Sequence, residues 1–115
     1  MASDNCLFCK IIAGQIPATE VYRDERIVAI RDINPMAPTH VLVMPVRHIT
    51  SVAEAAEADA ELVGALHLAA AKIAQQSQLT GGYRLVVNTG PDGGQTVGHL
   101  HVHLLGGRSM HWPPG

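Results

Sequence analysis

His99-Leu100-His101-Val102-His103-Leu104-Leu105 alternates strictly between imidazole and aliphatic side chains. Successive side chains of a strand point to opposite faces, so three rings share one face while Leu100, Val102 and Leu104 enter the other. The aliphatic face is core. Neighbouring rings are rooted about 6.6 Å apart and the outer pair about 13 Å. At most two of them therefore converge on one metal ion, whose nitrogen ligands lie about 2.0–2.1 Å away. A lone histidine here would be an ordinary polar residue on a half-exposed sheet. Three in register incur repulsion and desolvation that valine or threonine would avoid, which folding alone does not explain. Neutral and protonated imidazoles together supply a nucleophilic nitrogen, donors for anionic oxygens and a proton source near neutral pH. That set suits phosphoryl chemistry.

Immediately before this strand, Gly90-Pro91-Asp92-Gly93-Gly94-Gln95-Thr96 has glycines that allow backbone N–H groups close to a phosphate, and Thr96 adds a hydroxyl. It lacks the Gly-Lys-Ser/Thr ending of a P-loop, and alone it reads as a glycine-rich turn. Further upstream, Tyr83 to Asn88 reads as a strand. Residues 51–78 form the main helix, with Leu62, Leu66, Ala69 and Ile73 as its apolar stripe and Thr80-Gly81-Gly82 as its stop. Val41 to Pro45 is a strand after the Asn34-Pro35-Met36-Ala37-Pro38 loop. Tyr22-Arg23, Asp24-Glu25 and Ile27 to Arg31 make a hairpin. A short helix spans Cys6 to Ala13, closed by Gly14, and residues 1–5 are expected to be loose. The pattern predicts an α+β fold: a mostly antiparallel sheet of about five strands, one long and one short helix, and helices on one face.

The chain has 115 residues, which fits one domain spanning 1–115. Eight Lys+Arg and ten Asp+Glu give a net charge of −2, so no basic field points to nucleic acid. The longest apolar stretch is broken by His67, Lys72 and Gln75, too early for a membrane span. Asp4 and Asn5 stand where an export signal would be basic and then apolar, so a cytoplasmic location is expected.

Cys6-Leu7-Phe8-Cys9 holds the only cysteines, too close for a structural disulfide. The spacing is that of half a tetrahedral zinc site and also of redox pairs. A redox pair of the thioredoxin kind needs a preceding strand, for which five residues leave little room. Two buried thiols are the plainer reading.

His99 to Leu105 resembles the signature of the histidine triad superfamily. The resemblance covers nearly the whole chain. It includes Asp32-Ile33, Ala37-Pro38-Thr39-His40, Asn88, Asp92-Gly93-Gly94-Gln95 and the tail from Gly106-Gly107-Arg108 to Met110-His111-Trp112-Pro113-Pro114-Gly115. Within the superfamily it is similar to the nucleotide-binding, purine nucleoside phosphoramidase branch. That resemblance implies a homodimer with a sheet continuous across the interface. It also implies purine nucleoside monophosphates and their phosphoramidates as ligands, and cleavage of the P–N bond.

Carried over, His101 is the nucleophile that forms a nucleotidyl-imidazole, with His103, His40, His99 and Thr96 completing the catalytic set. Asn88, Gly94, Gln95 and Thr96 match the phosphate and leaving-group contacts, and Asp32 matches the ribose-binding carboxylate. Phe8, Ile11, Ile16, Ile30 and Ile33 match the apolar slot for the base, which offers no readout of adenine against guanine. Trp112 belongs to a tail, residues 106–115, that docks near the partner's active site. Relatives with a Cys-x-x-Cys here resemble a zinc-bound subgroup, which implies Cys6, Cys9, His48 and His99 as ligands of a structural zinc. Gly98, where relatives often carry an aromatic, and Arg31, where some have histidine, are departures that retune the nucleoside pocket. His67 receives no role.

Two other readings stay open at this point. A metalloenzyme with strand histidines on a catalytic ion, as in cupins, would want a glutamate soon after the His-x-His pair, and Leu104 to Met110 contain no carboxylate. A nucleotide-binding regulatory protein with incidental turnover would carry the same residues.

Overall fold

The computed structural model describes residues 5–115, so the expected loose terminus, apart from Asn5, falls outside the described residues. In chain order the elements are helix α1 (Leu7–Ile12), strands β1 (Glu20–Arg23), β2 (Ile27–Arg31) and β3 (Thr39–Pro45), helix α2 (Ala60–Gln76), and strands β4 (Tyr83–Val86) and β5 (Val102–Gly106). The five strands form one sheet in the order β1-β2-β3-β5-β4, and every pairing is antiparallel. This is the expected α+β architecture. No helix among the described residues is long and apolar enough to cross a membrane.

Both sheet faces are covered, by different helices. Ala29, Val41, Val43, Val102 and Leu104 pack with Leu66, Ala69, Ala70 and Ile73 of α2. Val28, Ile30, Leu42 and Met44, from the alternate positions of β2 and β3, pack with Cys6, Phe8 and Cys9 around α1. The expectation of both helices on one face is therefore corrected. The period-2 alternation gives β2 and β3 two apolar sides, and a strand buried on both faces needs two covers.

The helix over 51–78 is shorter than its composition suggests. Val52–Glu54 and Glu57–Asp59 are separate 3₁₀ turns, and α2 starts only at Ala60. Asp59 accepts from the Ala56 N–H at 2.9 Å, a local side-chain bond that competes with a continuous helix. Its end comes before the expected glycines, at Gln76, with Gln78 at a φ of 59°.

The alternation predicts a strand over residues 98–105, and β5 begins later, at Val102. Its ladder with β3 runs from Val43↔Val102 to Thr39↔Gly106. Beyond Val43 the partner strand reaches Pro45, which has no N–H to offer, and the Leu100 N–H bonds the Ile49 carbonyl at 2.6 Å instead. β4 stops at Val86, opposite His103. The alternation nonetheless persists: Leu100, Val102 and Leu104 all lie in the α2-side core.

Candidate functional site

The histidine face is the α1 side of the sheet. β3 places Leu42 directly opposite His103 and, two residues earlier, His40 on the same face. The rings of His101 and His103 are 4.9 Å apart and those of His40 and His103 5.2 Å apart. His40, His101 and His103 thus form one cluster, and His99 turns away from it.

Backbone partners fix the protons on His101 and His40, and His40 fixes the one on His103. The His101 Nδ1–H donates to the His99 carbonyl at 2.7 Å, which leaves Nε2 with its lone pair free. The Met36 N–H donates to His40 Nδ1 at 3.0 Å, so the neutral His40 ring carries its proton on Nε2 and donates to His103 Nδ1 at 2.9 Å. His103 therefore keeps its own proton on Nε2 as a donor. The geometry makes a relay: Met36 N–H, His40, His103. Asp32 Oδ2 stands 3.4 Å from His40 Nε2, while its Oδ1 accepts the Asn34 N–H at 2.8 Å and caps that turn. Asp32, His40 and His103 are close enough together to suggest a metal site. The proton that Met36 fixes on His40 Nε2 removes the lone pair such a site needs.

Burial disfavours the protonated form of all four rings. Desolvation lowers the pKa of His101 and His40, the latter against the opposing pull of Asp32. It lowers His103 to about 4, helped by repulsion from His101 and His40, and His99 to about 4. A neutral His101 with its Nε2 unprotonated is a nucleophile across the physiological range.

A second cluster lies on the far side of Phe8. His99 Nδ1 is 3.2 Å from Cys6 Sγ, 3.5 Å from Cys9 Sγ and 3.2 Å from His48 Nδ1, and His48 Nδ1 is 3.4 Å from Cys9 Sγ. Donor–metal lengths of about 2.0–2.1 Å to nitrogen and about 2.3 Å to sulfur give a tetrahedron with edges of about 3.3 Å (N···N) and about 3.6 Å (N···S). The observed spacings fit four donors around one ion. His99 is fully buried, and its Nε2–H donates to the Pro45 carbonyl at 2.8 Å, so Nδ1 is the nitrogen left to ligate. Burial pushes the Cys6 thiol up, so its thiolate form calls for a cation nearby. Cys6 also caps α1, its Sγ accepting the Cys9 N–H at 3.2 Å. The plainer reading of the cysteines, two buried thiols with no further partners, omits the two imidazoles the fold brings to them.

The glycine loop is held by its own side chains. Gln95 accepts from the Gly90 N–H at 3.1 Å and donates to the carbonyls of Thr50 and Val97 at 2.8 and 3.0 Å, and Asn88 donates to the Gly93 carbonyl at 2.6 Å. Gln95 thus shapes the loop with all of its polar atoms. At Gly93 an added Cβ would stand 2.3 Å from the Thr89 oxygen, and Gly94 has a φ of 80°. Thr96 is exposed and lines a groove of about 330 Å³ shared with Cys6, Leu7, His48 and Gly98.

The residues matched to the base slot separate into two groups. Phe8, Ile30 and, less buried, Ile11 form the wall behind the histidines. Ile33 is 97% exposed, and Ile16 is half-buried outside both core clusters. Trp112 is 83% exposed on a tail that Arg84 holds by donating to the His111 carbonyl at 2.9 Å. His67 bonds the Val63 carbonyl of its own helix, at 2.9 Å.

Sequence reasoning missed the residues that act through backbone atoms. Met36 orients His40 through its N–H, and its carbonyl accepts from Arg108 Nε at 2.9 Å. Pro45 orients His99 through its carbonyl, which accepts from Nε2–H. No side-chain signal announces such roles, although a loop confined by two prolines beside His40 hinted at a fixed backbone.

Comparison with known proteins places these features in a family. The HIT domain matches residues 13–110. A 14 kDa zinc-binding protein of Zea mays is 53% identical over 111 residues, covering 95% of this chain and 87% of the relative. The adenylylsulfatase HINT1 of Arabidopsis thaliana is 46% identical over 111 residues, 95% of this chain and 76% of the relative. The crystal structure of a HIT family hydrolase from Legionella pneumophila superposes with a TM-score of 0.94 at 53% identity, over 96% of this chain and all of that one. The triad strand and the whole sheet lie within residues 13–110, and the chain belongs to the HIT domain family.

Proposed function

We propose that the chain hydrolyses the P–N bond of purine nucleoside 5′-phosphoramidates through a covalent nucleotide on His101. The observation that carries this reading is the 2.7 Å bond from His101 Nδ1–H to the His99 carbonyl. It leaves Nε2 unprotonated and stabilises the positive charge the ring acquires when that nitrogen bonds phosphorus. In the first step Nε2 attacks phosphorus, the P–N bond breaks, and the amine leaves with one added proton. In the second, water attacks phosphorus, the bond from phosphorus to Nε2 breaks and returns its electron pair to the His101 ring, the nucleoside monophosphate is released, and the proton lost by water replaces the one the amine took up. His103 presents its Nε2–H to a phosphate oxygen, with its orientation set by His40. The exposed Thr96 hydroxyl serves the leaving amine, and Asp32 serves the ribose hydroxyls.

Cys6, Cys9, His48 and His99 would hold a zinc ion, a reading supported by the donor set and its spacing and by the relatives named for zinc binding. Four protein donors close the coordination shell, so the ion supplies structure, joining α1 to the segment that carries His101. The same proposal has two copies pairing through β4, an open sheet edge, with Tyr83 of β4 and Leu68 of α2 exposed. A solution mass of one chain would contradict that part.

The Arabidopsis relative's name motivates a second reading, an adenylyl sulfate substrate. Sulfate is a good leaving group without a proton, whereas an amine needs one, so the two substrates respond differently to loss of Thr96. The test is steady-state hydrolysis of adenosine 5′-phosphoramidate bearing a reporter amine, beside adenosine 5′-phosphosulfate, for wild type and His101→Ala, chelated and zinc-loaded. Turnover of the phosphoramidate that falls by orders of magnitude in His101→Ala supports the proposal. Activity that follows the metal and survives loss of His101 replaces it with metal catalysis. Binding of AMP without turnover of either substrate replaces it with a nucleotide-binding regulator.

A further inference from the structure

Phe8 stands between the two clusters. It lies in the first turn of α1, with Cys6 and Cys9 of the four-donor cluster on either side of it in sequence, and is only 3% exposed. Its ring meets His101 at 5.0 Å between centroids with an interplanar angle of 88°, and His99 at 5.9 Å and 69°. Both are edge-to-face contacts, each with a directional preference beyond simple burial. The ring is therefore a wedge between a ligand-type histidine and the nucleophile.

The hydrogen bond from Nδ1 to the His99 carbonyl holds His101 at one ring atom. A ring held at one atom still swings about that bond, and swinging moves Nε2, the attacking atom on the opposite side. The perpendicular Phe8 ring restricts that motion. Phe8 is fixed in turn because the Cys6 Sγ···His99 Nδ1 and Cys9 Sγ···His48 Nδ1 contacts pin the first turn of α1 on either side of it.

We infer that Phe8 is a positioning residue for His101, a wedge clamped by the flanking cysteines that sets the direction of the attacking nitrogen. The inference deepens, and rests on, the covalent phosphoramidase reading. It differs from the expectation that Phe8 serves as a wall for the purine, since a residue 3% exposed and turned toward two imidazoles acts first on those rings.

The test compares zinc-loaded wild type with Phe8→Leu, which keeps an apolar side chain of similar bulk without a flat ring, and with Phe8→Met as a second variant should Leu fold poorly. Kinetics with the reporter phosphoramidate are read beside nitrogen-edited NMR of the His101 imidazole. The expected result is a kcat lowered roughly 10- to 100-fold with KM nearly unchanged, and a broadened or doubled Nδ1–H resonance of His101. Unchanged kcat with a sharp His101 signal overturns the inference. A raised KM at constant kcat also overturns it, and returns Phe8 to the nucleoside slot. Should wild type leave the phosphoramidate intact, the functional reading fails, and the NMR comparison alone decides whether Phe8 orients His101.

Discussion

His40 Nε2 lies 2.9 Å from His103 Nδ1, and the Met36 N–H on the other side of the His40 ring decides which of the two histidines donates. A backbone atom in a proline-bounded loop thereby sets the proton on a ring two strands away in sequence. The consequence is functional, because only with Nδ1 occupied as an acceptor does His103 turn an N–H toward substrate.

Replacing His40 with alanine leaves His103 Nδ1 without its donor. A loss of roughly 10²-fold in kcat is expected, the lower end of a positioned acid–base contribution, with a stability cost of about 1–3 kcal/mol for the unpaired buried group. Steady-state kinetics and urea unfolding check the two halves. Wild-type kcat in His40→Ala would remove the relay from the mechanism.

Arg108→Ala tests the same relay from outside. It removes the donor to the Met36 carbonyl while touching none of the histidines in the cluster. A smaller fall in kcat than for His40→Ala is expected, and combining the two should give little beyond His40→Ala alone. Additive losses would show that Arg108 acts elsewhere.

Acid should destabilise the fold through His103. Its folded pKa is about 4, against an ordinary value of 6.5, so between those values the unfolded chain binds the extra proton. The contribution to stability is intact above about pH 6.5 and is lost as pH falls toward about 4. Thermal unfolding of the chelated protein across this window should show a falling Tm, and His103→Gln should show a shallower fall. Equal slopes would place the acid sensitivity at other groups.

Metal content provides an independent check. Zinc-loaded protein should carry one ion per chain, and prolonged chelation should lower the Tm, since an ion that binds only the folded state stabilises it by mass action. Cys9→Ser and His48→Ala should each bind zinc more weakly. A chain that takes up no ion and melts unchanged by chelator would reduce the four-donor cluster to a hydrogen-bonded one.

Much of the fold was legible because it follows from alternation. His99 to Leu105 dictated opposite faces for rings and aliphatics, and the α2-side core contains Leu100, Val102 and Leu104 accordingly. The same logic applied to β2 and β3 implies two buried faces, yet the short length of α1 concealed that it supplies the second cover. Strand limits were harder to read, because the start of β5 depends on Pro45 in a strand more than fifty residues earlier. At the site, the residue types were visible and the proton positions were not. Those depend on Met36, Pro45 and His99 offering backbone atoms, which have no side-chain signature.

The most direct test of covalent chemistry at His101 is a rapid acid-free quench of the enzyme with excess adenosine 5′-phosphoramidate, followed by intact-protein mass spectrometry and peptide mapping. A single adenylyl group on His101, formed at a rate no slower than turnover and absent from His101→Ala, is the predicted result. Turnover with no adduct, or an adduct on another residue while His101→Ala still hydrolyses the substrate, would contradict it.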